Sequence, residues 1–293
     1  MQSFVRTSLS VLFVLAVMSC AHSTLSMAQT ENAGWRSLQP GLKLRIFEPS
    51  LPTGTKGERL YVVIVKINPK DYDFHLLTAS ENGEGTKTLP QWMHDHDLHA
   101  AINAGMFWKD LRTSTGFMKN LSHINNSYFH PEYEGFLAFH PIHKSLPEIR
   151  IIDREHHKNW RQMLDLYGTV IQGFRMISVR GENVWEKNGK KHSVASIGIT
   201  KQGKVLFMFS QTPVTIHDFN KVLLRLPLDI VNCMFLEGGA TAGLMVEGKD
   251  FTQGWKGTAE TFLWTDGPSS FVRLPNVIGI TPTSKEKTCS DTQ

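Results

Sequence analysis

The apolar run 229–236 (DIVNCMFL) hands a carboxylate, Glu237, directly to Gly238 and Gly239, and Thr241 follows two residues later. Such a run reads as a strand buried on both faces. Its carboxyl end, followed by glycines that allow a sharp turn or a close approach to a ligand, lies where crevices tend to open. A carboxylate held there can remove a proton or attack carbon. The plain alternative is a polar strand end closed by a Gly-Gly turn. The segment 102–107 (INAGMF) has the same form, a β-rich stretch running into glycine. Here the side chain before the turn is the amide of Asn103, which can donate and accept, with Gly105 and Phe107 beyond it. Its plain reading is a strand-to-turn transition in which Asn tolerates a left-handed conformation.

Other groups attract attention and carry less. The run His94-Asp95-His96-Asp97-Leu98-His99 sits at the end of an amphipathic pattern and reads as a solvated helix face rather than a ligand cluster. No metal site is expected. The aromatic loop 128–133 (YFHPEY) fits the lining of a sugar cleft, and fits equally a packed surface loop. There is no Gly-x-Gly nucleotide loop and no CxxC or zinc spacing, and no cofactor is expected. Lys+Arg of 31 against Asp+Glu of 27 gives a net charge of only +4 in 293 residues. With no basic block or aromatic-interleaved basic stripe, nucleic acid is excluded as an expected partner. At 41% hydrophobic and 20% charged residues, the chain can bury a sizeable core.

The elements that must position these residues are short. The runs 60–67 (LYVVIVKI) and 74–79 are β-rich and separated by Asn68-Pro69-Lys70-Asp71, which predicts a hairpin. Thr88-Leu89-Pro90 opens a helix carrying Leu89, Trp92, Met93 and His96 on one face. Strands are expected over 98–103, 135–139, 170–174, 176–179, 194–200, 204–210 and 229–236, and a helix over 159–166. Thr215-Ile216-His217-Asp218 has the form of a capping box. Phe219, Val222, Leu223 and Leu226 follow as an apolar stripe, and Pro227 ends the helix. Mixed β and α without a βαβ rhythm predicts an α+β fold: one domain on a twisted mixed β-sheet with flanking helices. The expected organisation is a signal peptide over 1–28, a lead-in over 29–59, the domain over 60–280 and a polar tail over 281–293.

Arg6 precedes the apolar run 9–17 (LSVLFVLAV), and residues 7–30 carry no charged residue. The run is too short to span a bilayer and reads as a secretory signal. Two processing routes stay open. Val17-Met18-Ser19-Cys20 resembles a lipobox, which would place a lipid on Cys20; Ser26-Met27-Ala28 fits ordinary cleavage before Gln29. The expected location is the periplasm or cell envelope, with membrane contact only through a lipid at Cys20, or else secretion. Cys233 reads as a small core residue, and its pairing with Cys289 in the polar tail is left open.

Taken in order, INAGMF, Thr115-Gly116-Phe117, Gly135-Phe136-Leu137, Ile171-Gln172-Gly173, Ser196-Ile197-Gly198-Ile199, Ile216-His217-Asp218-Phe219 and FLEGGAT resemble the phosphodiester glycosidase domain family over roughly residues 60–265. The resemblance implies hydrolysis of a sugar joined through its anomeric oxygen to phosphate, in an envelope or extracellular glycan. It implies catalytic roles for Glu237, as base or nucleophile, and for Asp218 with His217 beside it. Asp218 reads equally as a helix N-terminal acid facing the dipole. Asn103, Gly105, Phe107, Gly116, Gln172, Gly238, Gly239 and Thr241 are implied to bind substrate. Two positions depart from the family pattern. Glu237 stands where the motif usually has Asp, and a displacement near 1 Å can cost on the order of 100-fold in rate. His192-Ser193-Val194-Ala195 stands where many members have an Arg-Thr pair, so Lys190, Lys191 or His192 must supply the positive charge. The alternative reading is a catalytically silent carbohydrate-binding lipoprotein that keeps the cleft.

Overall fold

A computed structural model describes residues 34–50, 60–81, 83, 85–258 and 270–283. Contacts divide the chain into Met1–Arg36, of which only 34–36 are described, and Ser37–Gln293, which carries everything below. The expected signal segment, Cys20, Cys289 and the tail beyond residue 283 lie outside the described residues.

The expected α+β fold with a mixed sheet is corrected: the architecture is mostly β, in three antiparallel sheets. The first sheet runs, in spatial order, β1 (Arg36–Gln39), β2 (Leu42–Phe47), β3 (Val62–Ile67), β13 (Val205–Val214), β12 (His192–Thr200), β14 (Ile230–Gly238) and β11 (Arg175–Ile177). The second runs β7 (His123–Asn126), β6 (Met118–Asn120), β10 (Tyr167–Gly173), β8 (Gly135–Pro141) and β9 (Ile149–Asp153). The third runs β16 (Phe251–Lys256), β15 (Gly243–Gly248), β5 (Ala100–Asn103), β17 (Asn276–Pro282) and β4 (Tyr72–Thr78). Against these, the α-helices among the described residues are single short pieces: α1 (Leu89–Asp95), α2 (Trp160–Asp165) and α3 (Ile216–Leu223). Each covers a sheet locally, and none forms a layer, which is what separates this fold from α+β.

The expected hairpin also gives way. Asn68–Asp71 does turn, with Asp71 N–H donating to the Asn68 carbonyl at 3.0 Å. The strands on either side then part into different sheets, β3 pairing with β2 and β13 and β4 with β17. Five of the six β3 residues are buried, as suits a central strand, and an edge hairpin could not cover both its faces. The lead-in joins the first sheet through β2, and β17 runs to Pro282.

Each sheet contributes one ring to a shared core. Phe74 of β4 lies between Phe139 of β8 and Phe207 of β13, with ring centroids 6.3 and 6.4 Å away. All three are buried in one apolar cluster. Rings at this spacing gain from edge contacts as well as burial, and they join three sheets that would otherwise expose one face each. Phe207→Ala removes the first sheet's ring, and we expect a loss of about 3–5 kcal/mol in urea unfolding. A loss below about 1 kcal/mol would show that the sheets do not depend on this core.

Candidate active site

The carboxylate is delivered by an irregular strand. In the pairing of β12 with β14, Val194 faces Gly238 and Ala195 faces Glu237, but Ser196 faces Phe235. Leu236 is therefore the extra residue of a β-bulge, placed immediately before Glu237. Bulges bend the strand and re-aim the next side chain. The centre of β14, Asn232–Leu236, is buried, and the strand opens toward solvent at Glu237.

The turn that follows is held by one amide. Asn103 donates from Nδ2 to the Thr241 carbonyl at 2.8 Å, and its Oδ1 accepts the Gly243 N–H at 2.7 Å. INAGMF and LEGGAT thus meet through this amide, although β5 and β14 lie in different sheets. The neighbours of β5 are β17 and β15, and β15 begins just past the turn. The two glycines answer different demands. A Cβ on Gly238 would lie 2.5 Å from Nδ1 of His192, whereas Gly239 has φ +69, a left-handed value costly for other residues. Thr241 closes the turn by donating its hydroxyl to the Gly238 carbonyl at 3.1 Å.

A second wall comes from the aromatic loop. Tyr133 is buried, stacks on His130 with centroids 3.9 Å apart, and donates its hydroxyl to Thr115 Oγ1 at 3.1 Å. Gly116 makes room for that ring, since a Cβ there would fall 2.8 Å from it. Gln172 holds the loop in place. Its Nε2 donates to the His130 and Tyr133 carbonyls at 2.8 and 2.7 Å, and its Oε1 accepts from Phe117 and His130 N–H at 3.0 and 2.9 Å. That fills all four positions of the amide, so Gln172 positions the wall and has nothing left to offer a ligand. The loop is thus partly both readings: Tyr133 faces the site, while Phe129 packs on Phe117 at 4.2 Å.

The remaining expected residues lie farther back. Gly105 adopts φ +103 at the end of β5. Phe107 packs against the apolar cluster around Trp92, which makes it a support of α1. Asp218 sits in the first turn of α3, where its N–H donates to Thr215 Oγ1 and its carboxylate receives the Thr215 hydroxyl, both at 3.1 Å. His217 Nδ1 donates to the Trp185 carbonyl at 2.7 Å, and Asn183 Nδ2 donates to the His217 carbonyl at 3.0 Å. Helix α3 therefore fixes the loop that carries Trp185. His94, at the end of α1, is exposed and paired with Asp95; among the described residues no cluster is suited to hold a metal ion. Cys233 is a buried free thiol whose pKa burial pushes up to about 12.

Electrostatically, Glu237 stands apart. It keeps a partial opening to solvent, yet burial pushes its carboxyl up to about 7, against the lowering effect of the hydrogen bond from the Gly238 N–H and of the nearby Thr241 hydroxyl. The Gly238 N–H reaches Oε1 at 2.9 Å. Burial raises the Tyr133 pKa most, and the charge of Glu237 raises it further, against the lowering effect of the hydrogen bond to Thr115. Sequence reasoning missed the bulge at Leu236, the partnership of Tyr133 with Glu237 and the place of Trp185. Gly116 was the available signal for Tyr133, because a glycine in a strand-like run marks a close approach.

The raised pKa has a consequence for stability. A carboxyl at about 7 when folded and near 4.5 when unfolded stabilises the fold below pH 4.5. That contribution is lost as pH rises through 7, on the order of 2–3 kcal/mol in all. The partly buried histidines His75, His99 and His140, with pKa values lowered chiefly by desolvation, act in the opposite sense as pH falls. Comparison with Glu237→Gln isolates the carboxyl: the variant should gain on wild type between pH 5 and 8 in chemical unfolding. A constant difference across that range would show that Glu237 titrates normally.

With this geometry in place, the chain can be compared with known proteins. No curated protein matches its sequence. Among solved structures it is similar to the catalytic domain of zebrafish N-acetylglucosamine-1-phosphodiester alpha-N-acetylglucosaminidase, auto-inhibited by its pro-peptide. The TM-score is 0.56 at 12% identity, covering 84% of this chain and 85% of that one. It is also similar to a hypothetical protein from Synechocystis, with a TM-score of 0.57 at 14% identity over 84% of this chain. There this chain spans 63% of the other's length. A third similar structure is a Burkholderia pseudomallei protein assigned to export, at TM-score 0.50 and 9% identity over 76% of this chain and 74% of that one. At these identities the likeness is one of fold. The phosphodiester glycosidase family model matches residues 96–281, more than half of the sequence, and the chain belongs to the phosphodiester glycosidase family.

Proposed function

We propose that this chain is an exported hydrolase that cleaves a sugar-1-phosphodiester, with Glu237 as general base. The observation that carries the reading is the carboxyl of about 7 held at a clamped Gly-Gly turn in a member of this family. A pKa near the working pH suits a group that must take up and release a proton. A nucleophilic carboxylate is better served by an environment that keeps it ionised, which favours the base. Glu237 takes a proton from water as the water oxygen bonds to the anomeric carbon. The bond from that carbon to the phosphate oxygen breaks, and the phosphomonoester leaves with its electron pair. This leaving group is weakly basic, so the reaction makes little demand on a general acid. Asp218, tied into its helix cap, is not assigned that role. His192, packed on Gly238, and the exposed Lys190 and Lys191 are the basic groups offered to the phosphate.

Export rests on Arg6 and the apolar run 9–17, with either a lipid on Cys20 or cleavage before Gln29. Mass measurement of protein recovered from the producing cell should give one of those two starts; an intact Met1 would refute both.

The chemistry is tested on an aryl phosphodiester of N-acetylglucosamine. Activity should rise with pH through a midpoint near 7, the sign expected of a base that must be ionised. The released sugar should first appear with inverted anomeric configuration. Glu237→Gln should lose on the order of 100-fold or more in kcat, and Glu237→Asp should retain more than Gln. Retention would make Glu237 the nucleophile instead. Equal turnover by wild type and the Gln variant would remove it from the mechanism. No turnover by wild type would favour the silent carbohydrate-binding reading.

A further inference from the structure

Beside the site, a groove of ≈ 710 Å³ is lined by Glu132, Glu134, Phe174, Arg175, Trp185 and Glu186, among others. That volume is in the range of small-molecule sites. Its aromatic wall is continuous with the walls around Glu237. Phe174 packs on Tyr133 at 4.3 Å and on Trp185 at 5.3 Å, and Trp185 reaches Phe235, which touches the Gly238 position. Phe174 and Trp185 are only partly buried. Trp185 is also held from behind: its carbonyl accepts from His217, its N–H donates to Asn183 Oδ1 at 3.2 Å, and Asn220 donates to the same oxygen at 2.8 Å. These bonds fix the backbone of the loop that carries the ring, and the ring itself is left partly open to solvent, as a platform for stacking needs.

The charge of the groove is equally directed. Arg175 lines it, but its guanidinium is already bound to Asp153, Glu134 and Glu155. Nine-tenths of that side chain is buried, and its Nε has no partner among the described residues. Arg175 sets one positive charge against the carboxylates of Asp153, Glu134 and Glu155, so that with Glu132 and Glu186 the lining is net negative.

We infer that this groove is a glycosyl subsite, in which Trp185 and Phe174 stack on the apolar face of a sugar ring and the carboxylates accept from its hydroxyl or amino groups. The ligand class is a neutral or amino-bearing sugar. Polyanionic glycans are turned away by like charge. This rests on reading the chain as acting on a glycan and adds to that reading the character of a sugar beyond the reacting centre.

The test is calorimetric binding to the full chain, with three probes: a trimer of N-acetylglucosamine, a trimer of glucosamine and a trimer of galacturonate. Wild type should bind the first two, and the galacturonate trimer at least 10-fold more weakly. Trp185→Ala should weaken both by 10-fold or more, and Trp185→Phe should restore most of the loss. The double change Glu132→Gln with Glu186→Gln should erase any preference for the amino trimer over the acetylated one. Thermal unfolding of each variant checks that it is folded. Absence of binding by wild type, unchanged binding by folded Trp185→Ala, or preference for galacturonate would overturn the inference. Turnover is read separately: binding without hydrolysis in every arm sinks the proposed reaction and leaves the subsite standing.

Discussion

The arrangement around the site depends on keeping one carboxyl partly out of water. Left alone at the end of a strand, Glu237 would be an ordinary acid facing solvent. Here the dense packing of β14 raises its pKa to about 7, and the protein accepts the destabilisation that ionisation then brings. Such a cost persists only where the surroundings leave the side chain no alternative. The bulge at Leu236, the amide of Asn103 and the ring of Tyr133 together remove the alternatives.

The polar residues near this carboxyl divide into those that hold and those that remain available. Asn103 and Gln172 are buried amides bonded to backbone on both their donor and acceptor sides. Each joins segments from different parts of the chain, so that loops which would drift independently move as one body. The cap of α3 does the same at one remove, since Thr215 and Asp218 fix the helix start and His217 fixes Trp185. Residues conspicuous in the sequence for their chemistry are thus largely the frame, and the groups free to meet a ligand are rings and carboxylates on the loops that the frame supports.

This explains what the sequence could show. The strand that carries Glu237 was legible because it is buried on both faces and so reads as a continuous apolar run. Caps at Thr88 and Thr215 were legible because they are local: each side chain accepts the N–H three residues on, and at Thr88 the Gln91 side chain completes a capping box. The architecture was not. Strands such as β6 and β7, three and four residues long with polar side chains, carry no periodicity that separates them from loops. The turn after β3 looks like a hairpin in any window of sequence, and only the distant pairing with β13 sends the two strands to different sheets. Tyr133 is far from Glu237 in the chain, and its loop is held by the four-way bonding of Gln172, which has no sequence signature.

The extra methylene of Glu237 relative to the Asp of the family pattern can be weighed on the same geometry. Extended, it would carry the carboxyl outward by more than an ångström, enough to matter for a reacting atom. The side chain is not extended: Oε1 turns back to accept the N–H of the very next residue, Gly238, at 2.9 Å. A carboxyl bonded to its neighbour's backbone is drawn back toward the strand. The added length is then absorbed in the bend, and the carboxyl lies nearer to where a shorter side chain would place it. The backbone at 238 also lies close to His192, which only a residue without a Cβ permits. Glu237, Gly238 and His192 therefore pack as close neighbours at the end of β14.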